Sequence, residues 1–160
     1  MRLALMRHAK SSWKEATSTD HQRSLNARGR TDAPRVAKRL VELGWIPEQI
    51  VSSDAARTRE TVTRMAPEWP TPVPTRFSGD LYLAGVLTIL AEIHSTDAAV
   101  ETLLLVGHNP GCEKALLWLT GEPLTMTTAN VALLELAEPT GSDVGPGAAQ
   151  LVDLIRPRDF

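Results

Sequence analysis

The 160-residue chain has one cysteine, Cys112, so no intrachain disulfide can hold it together. It must rest on an apolar core, which a chain of this length is large enough to build. The lone cysteine suits a reducing compartment. An excess of positive charge is also missing. The formal net charge is −2 and the isoelectric point is near 6.1. A protein held to nucleic acid by bulk electrostatics is basic, so no nucleic-acid partner is expected. Binding of a small anion needs only local positive charge, which a sum does not reveal. No apolar run approaches the length of a membrane span, and the opening MRLALMRHAK is too short in apolar residues for a signal-peptide core. No membrane partner and a cytoplasmic location are therefore expected. Repeats and low-complexity segments are absent. So is any close His-x-x-x-His spacing, which leaves no metal site in view.

What is present reads as alternating strands and helices. Leu3–Met6 is a short apolar run that ends in charge at Arg7 and His8, too short for a helix and suited to a buried strand. A polar loop follows over residues 10–22. Residues 26–43 carry one apolar stripe, Ala33, Val36, Ala37, Leu40 and Val41, with Gly44 at the helix end. Pro34 lies inside that stretch. A turn near Asn26, then a kink or restart capped by Asp32, is the expected accommodation.

Gln49–Ser53 reads as a strand, Asp54 as an N-cap, and residues 55–68 as a helix stopped by Pro70. Residues 67–74 are proline-rich and irregular or extended. Val86–Ile93 has helical spacing. Thr102–Val106 is apolar without alternation, as in the buried centre of a parallel sheet. A helix over residues 111–119, a strand over 131–136, a Gly/Pro loop over 141–147 and a strand over 150–155 complete the chain. The expected fold class is α/β, a single three-layer domain over residues 1–160. Its sheet is mainly parallel, with helices on both faces.

Chemistry gathers at the strand ends. Two buried-type strands stop at a histidine: Leu3-Ala4-Leu5-Met6-Arg7-His8 and Leu103-Leu104-Leu105-Val106-Gly107-His108-Asn109-Pro110. Ligand sites in open α/β sheets lie at the carboxyl ends of strands. A third strand end, Ser53-Asp54, runs into a helix with Arg57 in its first turn. Helix-start N–H groups attract anions, and a guanidinium adds a fork of donors. Gly107 would let backbone approach a ligand closely. Two arginines, two histidines and helix N-termini together have the chemistry of a phosphate site.

These residues resemble the histidine phosphatase superfamily, and within it the small SixA-like phosphohistidine phosphatases. The matching pieces run in family order from residue 7 to residue 111. They are Arg7-His8-Ala9-Lys10-Ser11-Ser12-Trp13, Asp20-His21-Gln22-Arg23-Ser24-Leu25-Asn26-Ala27-Arg28-Gly29, Ser53-Asp54-Ala55-Ala56-Arg57-Thr58-Arg59-Glu60-Thr61, Leu81-Tyr82-Leu83-Ala84 and Val106-Gly107-His108-Asn109-Pro110-Gly111. The resemblance implies a phosphoglycerate mutase-like fold with the first strand near the sheet centre. It implies that His8 attacks phosphorus and carries the phosphoryl group, with its other ring nitrogen held by a backbone carbonyl. Arg7, Arg57 and His108 would hold the equatorial oxygens, and no cofactor or metal is needed.

Arg23, Asn26 and Asn109 join Arg7 and Arg57 as candidate substrate contacts, although Asn26 reads equally well as a helix cap. Three departures stand out. Asp54 follows Ser53 where proline is frequent, and capping of the next helix is its expected task. Ala9 replaces the usual glycine after the histidine, and is small enough to keep that loop tight. The proton donor of larger members has no clear counterpart. Asp80 is one candidate and Glu113 another. His21 and His94 read as solvated surface residues.

The expected substrate is a phosphorylated protein bearing phosphohistidine. A small phosphorylated metabolite, such as a sugar phosphate or nucleotide, is the alternative. A rival of another class is a non-catalytic phosphate- or partner-binding domain.

Overall fold

The computed structural model describes residues 1–13, 19–137 and 144–160. The parts of the two expected loops at 14–18 and 141–143 lie outside the described residues. Six strands form one sheet in the order β3-β2-β4-β1-β5-β6: β1 is Arg2–Arg7, β2 Gln49–Ser53, β3 Thr75–Ser78, β4 Thr102–Gly107, β5 Val131–Leu136 and β6 Ala149–Ile155. Strands β3, β2, β4 and β1 pair in parallel, and β5 joins β1 antiparallel. The first strand sits centrally beside β4, and both are apolar because both their faces are covered.

Four helices cover the sheet: α1 Ala27–Glu42, α2 Ala56–Met65, α3 Val86–His94 and α4 Gly111–Thr120. The pleat divides the core in two. Leu3, Leu5, Leu103 and Leu105 pack with Ile89, Ile93, Ala115 and Leu116 of α3 and α4. Ala4, Met6, Leu104 and Val106 face the other way, against Val36, Leu40, Val62 and Met65 of α1 and α2. This is an α/β fold with helices on both faces.

Three sequence expectations need correction. Helix α1 runs unbroken from its cap at Asn26, with Pro34 inside it. The buried stripe of Ala33, Val36, Ala37 and Leu40 holds it on the sheet, and this packing outweighs one lost hydrogen bond. Asp32 caps nothing; its carboxylate pairs with Arg28 and Arg35. Asp54 is not a cap either. Ala55 holds that position without a side-chain bond, and helix α2 ends at Met65 in a short 3-10 turn, Ala66–Glu68. The third point is an unforeseen strand. Edge strand β3 is only four residues long and polar except for Phe77, so no apolar pattern marks it.

Among the described residues, no helix is long and apolar enough to cross a membrane.

Candidate active site

The registers set the site. Arg7 pairs with Gly107 across β1 and β4, and Ser52 with Val106 across β2 and β4. His8, His108 and Ser53 therefore emerge at one level on the carboxyl edge of three adjacent strands. The imidazole centroids are 5.1 Å apart. Arg57, on the first turn of α2, lies between them and is 2% exposed. Its Nε donates to His8 Nε2 at 3.2 Å, and its Nη2 donates to His108 Nδ1 at 3.2 Å.

The loop after β1 is held from several sides. His8 N–H donates to the Gly107 carbonyl at 3.1 Å. The Ala129 N–H donates to the carbonyls of Arg7 and His8. Ala9 N–H donates to Thr61 Oγ1, whose hydroxyl donates to the Arg57 carbonyl. Ala9 is fully buried, so a small residue is required there. Gly29 braces the same loop: a Cβ on it would meet the Lys10 carbonyl oxygen at 2.2 Å.

Hydrogen-bond partners fix the tautomers. A carbonyl only accepts, so the 2.7 Å contact from His8 Nδ1 to the Ala9 carbonyl puts the proton on Nδ1. His8 Nε2 then carries the ring's in-plane lone pair, which here accepts from Arg57 Nε. A guanidinium only donates, so His108 Nδ1 is an acceptor, and its Nε2 donates to Ser53 Oγ at 2.8 Å. Both rings are held neutral. Burial pushes His8 from 6.5 down to about 4 against the pull of the Ala9 carbonyl, and Arg57, Arg7 and Arg23 depress it further. Burial likewise takes His108 down to about 3, helped by His8 and Arg57.

The remaining cations are less satisfied. Arg7 donates from Nη1 to the Met126 carbonyl at 2.9 Å, but its buried Nε has no partner. Arg23 stacks 3.4 Å above the Trp13 ring, and its buried Nη1 also lacks a partner. Arginine donors that stay unpaired beside an electron-rich nitrogen fit an oxyanion.

The other expected residues make contacts of their own. Asn26 accepts from Gly29 N–H at 2.9 Å and caps α1. Asn109 spends its amide N–H groups on Glu113 Oε1 and the Met126 carbonyl, while Glu113 also accepts from Met126 N–H. Asn109 and Glu113 thus brace the segment that holds Arg7. Gly107 serves packing: a Cβ there would meet Cys112 Sγ at 3.2 Å. Asp80 is exposed on the turn Gly79–Leu81 and makes no hydrogen bond or ion pair with His8, His108, Arg7 or Arg57. His21 bonds Asp54 Oδ1 at 2.8 Å and meets Tyr82 edge-on. His94 accepts from Val144 N–H at 3.3 Å and is half-buried. Burial lifts the Cys112 thiol to about 12, so it is a packing residue.

Sequence reasoning left out Asp20, Tyr82, Thr61 and the Ser53 hydroxyl. Asp20 Oδ2 accepts from Arg57 Nη2 at 3.2 Å and from Tyr82 Oη at 2.5 Å. Asp20 and Tyr82 stood inside quoted motifs, yet nothing in their spacing showed that they would meet. Among the described residues, no group of three or more metal-ligand side chains is arranged to hold an ion.

A mainly parallel sheet whose central strand ends present two imidazoles, a buried arginine and unpaired arginine donors has the chemistry of a phosphoryl-transfer site. The family model of the histidine phosphatase superfamily (branch 1) matches residues 3–78. An uncharacterized chloroplastic protein of Arabidopsis thaliana is 34% identical, over 98% of this chain and 78% of that one. A protein described as a candidate phosphohistidine phosphatase SixA from Agrobacterium tumefaciens superposes with a TM-score of 0.84 at 28% identity, covering 98% and 97% of the two chains. Another such SixA, from Nakamurella, gives 0.86 at 26%, covering 98% and 95%. The chain belongs to the histidine phosphatase superfamily.

Proposed function

We propose that residues 1–160 act as one metal-independent phosphatase domain that works through a phosphohistidine intermediate on His8. The observation that carries this reading is the lone pair of His8 Nε2, fixed by the Ala9 carbonyl and surrounded by Arg7, Arg57 and Arg23. Nε2 attacks phosphorus in line, and the bond from phosphorus to the leaving group breaks. Charge spreads over the equatorial oxygens during transfer, where fixed guanidinium donors stabilise it most. The unpaired N–H groups of Arg7 and Arg23 are two such donors.

His108 faces the same oxygens with Nδ1. Ser53 can either accept from or donate to Nε2, so His108 can present an N–H to a phosphoryl oxygen while staying hydrogen-bonded behind. Water then attacks the phosphoenzyme and releases phosphate. Asp80 is the proposed proton donor for ester leaving groups that need one.

The favoured substrate is phosphohistidine on a protein. Asp20 keeps 42% of its side chain exposed while bonded to Arg57, so the outer edge of the site faces solvent, as a substrate carried on another protein requires. A reducing compartment such as the cytoplasm suits the single buried thiol.

The test is chemical trapping. Brief incubation with a labelled phosphohistidine protein should leave label on this chain that is lost in acid and kept in base. His8→Ala should abolish both label and turnover. Turnover that survives in His8→Ala removes the nucleophile. Turnover confined to sugar phosphates or nucleotides removes the substrate but keeps the mechanism.

A further inference from the structure

Asp20 has no part in the transfer described above, yet it is the carboxylate on Arg57. Its Oδ2 accepts from Arg57 Nη2 at 3.2 Å and from Tyr82 Oη at 2.5 Å; Oδ1 lies 3.1 Å from Arg23 Nε; and its backbone carbonyl accepts from Arg57 Nη1 at 2.7 Å. The Tyr82 ring is packed edge-on against His108, with centroids 5.6 Å apart. The Tyr82 hydrogen bond and the two guanidinium groups hold the Asp20 carboxyl below its ordinary range, so it stays ionised.

Position gives this charge its meaning. His8 and His108 are 6% and 3% exposed, whereas the Asp20 side chain is 42% exposed. The two histidines thus lie deeper than Asp20, which stands on the solvent side of the site. In-line displacement puts the leaving group on the side away from the nucleophile, and substrate enters from the solvent side. Asp20 is an ionised carboxylate on that side, held between Arg57 and Arg23. An ester oxygen gains negative charge as its bond to phosphorus breaks, so a carboxylate there opposes its departure. A phosphorylated imidazole protonated on its far ring nitrogen presents a cationic N–H instead. A carboxylate is the matching acceptor for that group.

We propose that Asp20 is a specificity-determining residue that selects nitrogen-linked leaving groups over oxygen-linked ones by accepting a hydrogen bond from the departing imidazole. This rests on the reading of His8 as nucleophile and phosphohistidine as substrate. The new bond forms between His8 Nε2 and phosphorus. The substrate's own bond from nitrogen to phosphorus breaks, and its electron pair returns to that nitrogen. The proton stays on the far ring nitrogen, so the imidazole leaves neutral and Asp20 takes up no proton. Tyr82 and Arg23 are the positioning residues that aim the carboxylate.

The experiment compares kcat/KM of wild type, Asp20→Asn and Asp20→Glu on a small histidine-phosphorylated protein and on p-nitrophenyl phosphate. Asp20→Asn keeps the shape and removes the charge. It should lower kcat/KM on phosphohistidine about tenfold or more, while the aryl ester is unchanged or faster. Asp20→Glu keeps the charge and should retain much of the wild-type preference. Retained aryl turnover shows that each variant is folded. Equal loss on both substrates, or no loss on phosphohistidine, overturns the assignment of Asp20 alone. A wild type that cleaves the aryl ester but not phosphohistidine overturns the substrate reading, and the role of Asp20 with it.

Discussion

Acid should weaken this fold by an amount that the two site histidines set. In the unfolded chain both titrate near 6.5; in the native state burial and neighbouring cations hold them near 4 and 3. Between those limits the unfolded chain binds more protons than the native one, so stability rises with pH and is lost as pH falls below about 6.5. At pH 5 the gap from 6.5 is about 1.5 units, and each unit is worth about 1.36 kcal/mol. Each histidine then costs about 2 kcal/mol relative to pH 7.5, and the pair about 4. Asp20, Glu60 and Glu92 are depressed carboxylates and lose their contribution lower, as pH falls through the carboxylate range. Urea unfolding at pH 7.5 and pH 5.0, in buffers free of phosphate, measures the difference. The double variant His8→Gln/His108→Gln should lose about 4 kcal/mol less than wild type over the same interval. Equal losses in the two proteins would refute the view that both imidazoles are neutral in the native state.

Two further outcomes are expected. Arg57→Lys replaces a fork that makes four hydrogen bonds with one ammonium, and should cut kcat/KM on every substrate about a hundredfold or more, mostly through kcat; steady-state kinetics with a change in KM alone would assign Arg57 to ground-state binding. Asp80→Asn should slow an alkyl phosphate and leave phosphohistidine within about twofold, because only the alkoxide needs a proton to depart; equal slowing in a two-substrate assay would remove leaving-group protonation as its role.

By itself the sequence determined the alternation of strands and helices. Apolar runs and helical spacing are local properties, and Leu3–Met6 and residues 102–106 carry them plainly. It also set His8 and His108 at strand ends, since each follows directly on such a run, and Arg57 in the first turn of the helix that follows a third strand. Where local pattern was weak, it misled. Polar edge strand β3 left no periodic mark, and Pro34 predicted a break that burial of the α1 stripe prevents.

Only the tertiary structure decided how the ends meet. The register of β1 on β4 and β4 on β2 sets His8, His108 and Ser53 at one level, and no spacing in the chain encodes that register. Arg57 meets Asp20 across 37 positions, and Tyr82 meets Asp20 across 62. Those contacts follow from the crossovers that carry the chain between distant strands. The tautomers of the two histidines, the bracing task of Asn109 and the carboxylate set on Arg57 arise from those meetings, because hydrogen bonding and burial depend on what lies nearby in space rather than in sequence.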